Sequence, residues 1–220
     1  MSGMTLRSLL ILTAALSIYE PALGRSDGIV AGTVSLESTK SMPLPPGYTA
    51  RTKNPVEQPD APRAIVYLEN STGVYPAVAA RQVVDIGQQG YQFRPGMAAV
   101  QTGGQVTFPN HDEEFHNVFS YSRAKRFDLG RFRMDEQSPP ITFDKPGLVK
   151  IYCEIHKHMR SLLLVLDTPW FTVTDASGAF ELVDIPAGEY QIKAFLPSDE
   201  TIEARVSVVA DETVRITLAR

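Results

Sequence analysis

Residues 151–159 read IYCEIHKHM. Within seven positions they hold the single cysteine, Cys153, two of the four histidines, His156 and His158, and a methionine, Met159. Thiolate and thioether sulfur favour Cu(I), while imidazole serves both oxidation states, so this set of residue types suits a copper ion that cycles between Cu(I) and Cu(II). Such a centre needs two histidines and one cysteine near one plane, with a weak axial methionine. Cys153, His156 and Met159 follow as Cys-x2-His-x2-Met, and PNHDEEFHNVFS supplies the missing imidazole as His116, 37 residues before Cys153.

The flanking residues say how these groups are positioned. LVKIY reads as a strand ending at Cys153, and LLLVL as the strand that follows Met159. A tight loop between adjacent strands then turns Cys153, His156 and Met159 inward at one end of a sandwich, with His116 arriving on another strand. His158 is expected at the surface if Met159 points in, and as the fourth ligand in place of Met159 otherwise. His111 reads as a surface residue in a polar turn. The competing reading of Cys153 is a small core hydrophobe.

The rest of the chain has the same texture. GTVSL, AIVYLE, VTFPN, FTVTD, AFELVDI, YQIKAF, ARVSVV and VRITL are β-branched or aromatic runs of strand length, with turn signals at TGG, KPG, ASG and PAG between runs. No segment sustains a helical apolar period, so the expected class is all-β, built of sandwiches. Residues 41–62 carry six prolines and read as an extended linker. Residues 120–140 read as irregular, with Arg123, Lys125, Arg126, Arg131 and Arg133 on a solvated loop face, or alternatively on a rim for an acidic partner.

At 220 residues the chain can bury one good core or two small ones. Its net charge of −4 gives no reason to expect nucleic acid as a partner. Arg7, the apolar run from Leu9 to Ile18 and the small residues Ala22 and Gly24 form the pattern of a cleaved secretory signal over residues 1–24, so a periplasmic or secreted location is expected. No transmembrane segment is expected after it. In an oxidising compartment an unpaired cysteine is unusual, and metal ligation accounts for it.

Over roughly residues 80–167, through YQFRPGMAAVQTGGQVTFPNHDEEFHNVFS (from Tyr91) and FDKPGLVKIYCEIHKHMRSLLLVLD (to Asp167), the sequence resembles the cupredoxin family. The short ligand loop looks like that of amicyanin, and HNVFS with FDLG is similar to periplasmic cupredoxins of the methylamine-utilization type. The resemblance implies a Greek-key β-sandwich and one copper ion, with His116 and His156 as imidazole ligands, Cys153 as thiolate and Met159 as axial sulfur. Related loops often carry proline just before the second histidine. Ile155 stands there, and its N–H is expected to point at the Cys153 sulfur. Asn117 is either a plain turn asparagine or a tie between the ligand strand and the loop.

Residues 170–220 resemble a second, small sandwich, the carboxypeptidase regulatory-like domain, through Thr174, Asp175, Gly178, Phe180, Pro186, Gly188 and Tyr190. The first strands of that domain are missing before Phe171 but present in residues 28–72, so the copper domain is expected as an insertion. The competing assignment gives residues 28–72 to the copper domain. What the resemblance implies is a one-electron carrier rather than an enzyme, meeting a cytochrome or dehydrogenase as a transient redox partner. The alternatives are copper storage or delivery, an open site with some enzymatic activity in which His158 or Glu154 ligates and Met159 swings away, or binding of an envelope component.

Overall fold

The computed structural model describes residues 27–37, 55–76 and 83–220. The signal-like residues 1–24 lie outside them, as does most of the proline-rich segment. Among the described residues there are strands and no helix, so none is long and apolar enough to cross a membrane. The protein is all-β.

Two N-terminal strands, β1 (Gly28–Val34) and β2 (Ile65–Asn70), precede a run of short ones: β3 (Val83–Asp85), β4 (Gly87–Gln89), β5 (Gln92–Arg94), β6 (Met97–Gln101) and β7 (Gln105–Thr107). The central strands are β8 (His116–Tyr121), β9 (Arg126–Phe132), β10 (Ile141–Thr142), β11 (Gly147–Tyr152) and β12 (Arg160–Leu166). The chain closes with β13 (Phe171–Val173), β14 (Ala179–Ile185), β15 (Gly188–Phe195), β16 (Thr201–Val208) and β17 (Thr213–Leu218).

β1 lies between β14 and β17, and β2 between β13 and β15, with β16 outside β15. These two sheets enclose Val30, Val34, Val66, Leu68, Leu182 and Ile192. Both N-terminal strands therefore share sheets with strands that follow residue 170, while the strands of residues 83–166 pair among themselves. The largest sheet there has the order β6-β12-β11-β8-β9, and its core holds Phe93, Phe108, Phe143, Ile151, Cys153 and Met159.

Two apolar runs lack strand alternation because each is buried on both faces. In β12, Leu163 and Val165 enter the core that holds Cys153. Their neighbours Leu164 and Leu166 turn to a separate cluster with Ile65, Tyr67, Met97, Ala99 and Phe195. In β2, Val66 and Leu68 face the first core while Ile65 and Tyr67 face that same shared cluster. The two sets of sheets are thus joined by a continuous apolar layer, flanked by an ion pair between Lys150 and Asp199.

Residues 120–140 differ from the irregular stretch expected. RFDLGRF forms β9, an edge strand antiparallel to β8, with Phe127, Leu129 and Phe132 half-buried and the polar residues between them exposed. The register shifts between Asn117 and Phe119, and Gly130 has φ 76°. This bulge breaks strict alternation and hid the strand among the charges.

In β1, Gly32 passes so close to β17 that a methyl there would run into the carbonyl oxygen of Ile216. Backbone cannot yield as a side chain can. Gly32→Ala is expected to destabilise the chain by about 1–3 kcal/mol or more, the cost of forced overpacking. Denaturant unfolding midpoints of the variant and the parent check this.

Candidate metal centre

β11 and β12 are antiparallel with Tyr152 opposite Arg160, so residues 153–159 form the whole connection between them. The Met159 N–H closes the loop on the His156 carbonyl at 2.9 Å. Cys153 and Met159 are buried in one core, as the apolar strands on either side require. β8 neighbours β11 through the pair Tyr152 and Phe119, which brings His116, the first residue of β8, to the same end.

His116, Cys153 and His156 converge, and their candidate ligand atoms all lie within 4.8 Å of one another. The two Nδ1 atoms are 2.9 Å apart, and the Cys153 Sγ is 3.9 Å from the His156 Nδ1. Two donors sharing one ion at bond lengths of about 2.0–2.3 Å lie about 3.3–3.8 Å apart. The observed separations bracket that value, so one thiolate and two imidazoles fit a single soft or borderline ion. His116 is fully buried, whereas His156 is half-buried.

Backbone amides surround the sulfur. The N–H groups of Asn117 and His156 point at the Cys153 Sγ at 3.5 and 3.4 Å. This corrects the expectation for Ile155: the loop turns so that the next amide, that of His156, reaches the sulfur, and the Ile155 side chain is left exposed. Asn117 proves to be a tie. Its Oδ1 accepts the Glu154 N–H at 3.3 Å, and its Nδ2 donates to Asp128 Oδ1 and to the Gly130 carbonyl at 2.9 and 3.0 Å.

Two residues at the site carry no signal in the ligand pattern. The Asp112 carboxylate sits 2.8 Å from the His116 Nε2 and accepts the N–H groups of Gly90 and Tyr91 at 2.7 and 2.9 Å. Its place four residues before His116 is the one sequence clue. The Tyr91 ring lies edge-on to both imidazoles, with centroids 5.7 Å from His116 and 5.1 Å from His156. His158 is half-buried rather than exposed, because its Nε2 lies 2.9 Å from the Tyr91 carbonyl oxygen and is held there. His111 lies at the surface as expected.

No protein family's model matches the chain, and no curated protein matches it. Solved structures do. A Cu-containing nitrite reductase (NirK) from Thermus scotoductus SA-01 aligns at 25% identity over 41% of this chain, with a TM-score of 0.36, and the match spans only 24% of that enzyme. A purple cupredoxin from Nitrosopumilus maritimus aligns at 22% identity over 38% of this chain and 98% of its own, with a TM-score of 0.33. The reduced Cu(I) form of an amicyanin mutant at pH 4 aligns at 22% identity over 40% of this chain and 85% of its own, with a TM-score of 0.34.

Electrostatics at the site favour a thiolate. Burial pushes the Cys153 thiol up, but the His116 and His156 imidazoles and the Asn117 and His156 amides outweigh it and bring the pKa down to about 6. Burial would lower the His116 pKa, yet Asp112 and Cys153 raise it above the ordinary histidine value. The Asp112 carboxyl, though partly desolvated, is held low by His116 and the two amides. A protonated His116 then points Nε2–H at Asp112 and Nδ1–H at the His156 Nδ1.

A metal ion must displace that Nδ1 proton, and at low pH a thiol proton as well. Metal affinity is therefore expected to fall as pH drops, with the His116 proton competing first. Below pH about 6 the fall steepens, when Cys153 also holds a proton. Competition with a chelator between pH 5 and 8 measures the slope, and a pH-independent affinity would contradict it. Asp112→Ala is expected to lose roughly 10- to 100-fold in metal affinity, the usual effect of removing a partner behind a ligating histidine. The same titrations check it, against Asp112→Asn as the variant that keeps one acceptor oxygen.

Proposed function

We propose that this chain binds one copper ion and serves as a one-electron carrier of the cell envelope. The observation that carries the reading is the convergence of one buried thiol and two imidazole nitrogens within 4.8 Å. Copper bound there supplies a one-electron Cu(I)/Cu(II) couple. His116 and His156 would hold it through Nδ1 and Cys153 through its sulfur, and the buried Met159, last residue of the loop, would supply a thioether as the fourth ligand.

The chain's own groups fit that task. Asp112 fixes His116 with its Nε2 protonated, which leaves Nδ1 as the ligand atom. The amides of Asn117 and His156 withdraw electron density from the sulfur and favour the reduced state. Asn117 locks the loop to β8, so the donors rearrange little when the charge changes. His156, half-buried where His116 is fully buried, offers the shorter route for an electron to the surface. A weak, transient encounter with a cytochrome or dehydrogenase follows from that role. The signal-like residues 1–24 support a periplasmic or secreted location. We further read residues 83–166 as a copper domain inserted into a regulatory-like sandwich formed by residues 28–72 and 170–220, on the support of the strand pairings.

An optical spectrum of the protein with Cu(II), recorded beside Cys153→Ser, tests the reading. An intense band toward the red end of the visible that vanishes in the variant is the expected result, since it reports thiolate-to-copper charge transfer. A parent spectrum with only the weak bands of nitrogen- and oxygen-bound copper would overturn it.

A further inference from the structure

The β4–β5 hairpin supplies none of the converging donors, yet it touches every histidine of the site. Its tip is Gly90 and Tyr91, both in the left-handed region with φ 63° and 59°. For tyrosine that conformation is uncommon, and it is held from two sides. Asp112 takes both amide N–H groups of the tip. On the other side residues 57–60 lie across the hairpin: the Glu57 N–H donates to the Gly90 carbonyl at 2.9 Å, and Gln92 Nε2 donates to the Glu57 carbonyl at 3.0 Å. Arg94 binds Glu57 at 2.8 Å and also pairs with Asp60, whose other oxygen accepts the Gly96 N–H. The fit is close, because a methyl on Gly90 would collide with the Glu57 side chain.

What this support holds in place is Tyr91. Its ring, 1% exposed, is nearly perpendicular to both imidazoles, with interplanar angles of 85° to His116 and 84° to His156. The two imidazoles are themselves inclined by 64°. One ring thus packs against both imidazoles, and the Tyr91 carbonyl engages His158, which is not among the converging donors.

We infer that Tyr91 is a positioning residue of the metal centre, clamped by Asp112 and by the strap of residues 57–60 so that its ring sets the angle between His116 and His156. The role rests on the metal-binding reading given above, but the clamp also acts on the two imidazoles without metal. Tyr91→Phe keeps the ring and Tyr91→Leu removes it. Phe108→Leu is the control, since Phe108 is fully buried in the same core and its ring contacts are with Phe127. Arg94→Gln loosens the strap without touching an imidazole.

The measurements are the thiolate band and copper affinity of the full chain, and the imidazole 15N signals of His116 and His156 without metal. Tyr91→Leu is expected to shift the band, to lose roughly 10- to 100-fold in affinity, and to move both imidazoles toward averaged tautomer signals. Tyr91→Phe, which keeps the ring, is expected to change all three readouts less than Tyr91→Leu, and Arg94→Gln to change them in the same direction as Tyr91→Leu with smaller amplitude. Phe108→Leu is expected to lower stability alone. The inference is overturned if Tyr91→Leu lowers stability but leaves band, affinity and 15N signals as in the parent. It is equally overturned if Phe108→Leu moves them as much. Should the parent show no thiolate band, the metal reading falls, and the 15N comparison still decides whether Tyr91 orders the two rings.

Discussion

The Asp112 carboxylate takes three N–H groups, from Gly90, Tyr91 and His116, and the geometry of the metal end depends on it. A buried carboxylate is costly unless its oxygens are satisfied, and here each donor comes from a segment that must be held still. Two belong to the tip of the β4–β5 hairpin and one to the first residue of β8. Asp112 is itself fixed, because its N–H donates to Asn110 Oδ1 at 2.9 Å, and Asn110 Nδ2 reaches the carbonyls of Glu114 and Phe132. The segment 110–116 is thus a small hydrogen-bonded knot, and the imidazole of His116 takes its direction from that knot rather than from its strand alone.

The Cys153 sulfur presents the complementary problem. Burial alone would keep it a neutral thiol, yet imidazoles and amides on several sides make the anion the favoured form near neutral pH. Those donors come from two elements, β8 through Asn117 and the loop through His156. The side chain of Asn117 then ties the same two elements together. Ligand placement and thiolate stabilisation therefore share one set of contacts, and a change that separates β8 from the loop disturbs both.

How much of this was legible in the sequence follows from which interactions are local. Cys153 and His156 sit in one loop whose flanking strands are plain apolar runs, and His116 opens another strand, so the meeting of these three followed from spacing and strand ends. The all-β class followed from turn residues and β-branched runs. Tyr91 was not legible: it lies 25 residues before His116 in a hairpin whose approach depends on tertiary contacts. The amide at the sulfur was assigned one residue early, to Ile155, because spacing does not reveal which N–H a tight loop turns inward. β9 was missed because the bulge near Gly130 and five basic residues obscure its alternation.

The shared apolar layer explains why the two sets of sheets need one another. β12 carries Leu163 and Val165 on one face and Leu164 and Leu166 on the other, so a sheet 83–166 standing alone would leave its second face in water. The opposing face is supplied by Ile65, Tyr67 and Phe195, residues of β2 and β15. Burying a side chain of that size is worth about 1.5–3 kcal/mol, so this layer couples the stability of the metal end to strands that contribute no ligand. β11 and β12 carry the ligand loop at one end and this layer along one face. Movement of β2 and β15 would therefore reach Met159 most directly through β12, which is packed on both faces, and this is a reason for the layer to be apolar and continuous rather than a polar, sliding interface.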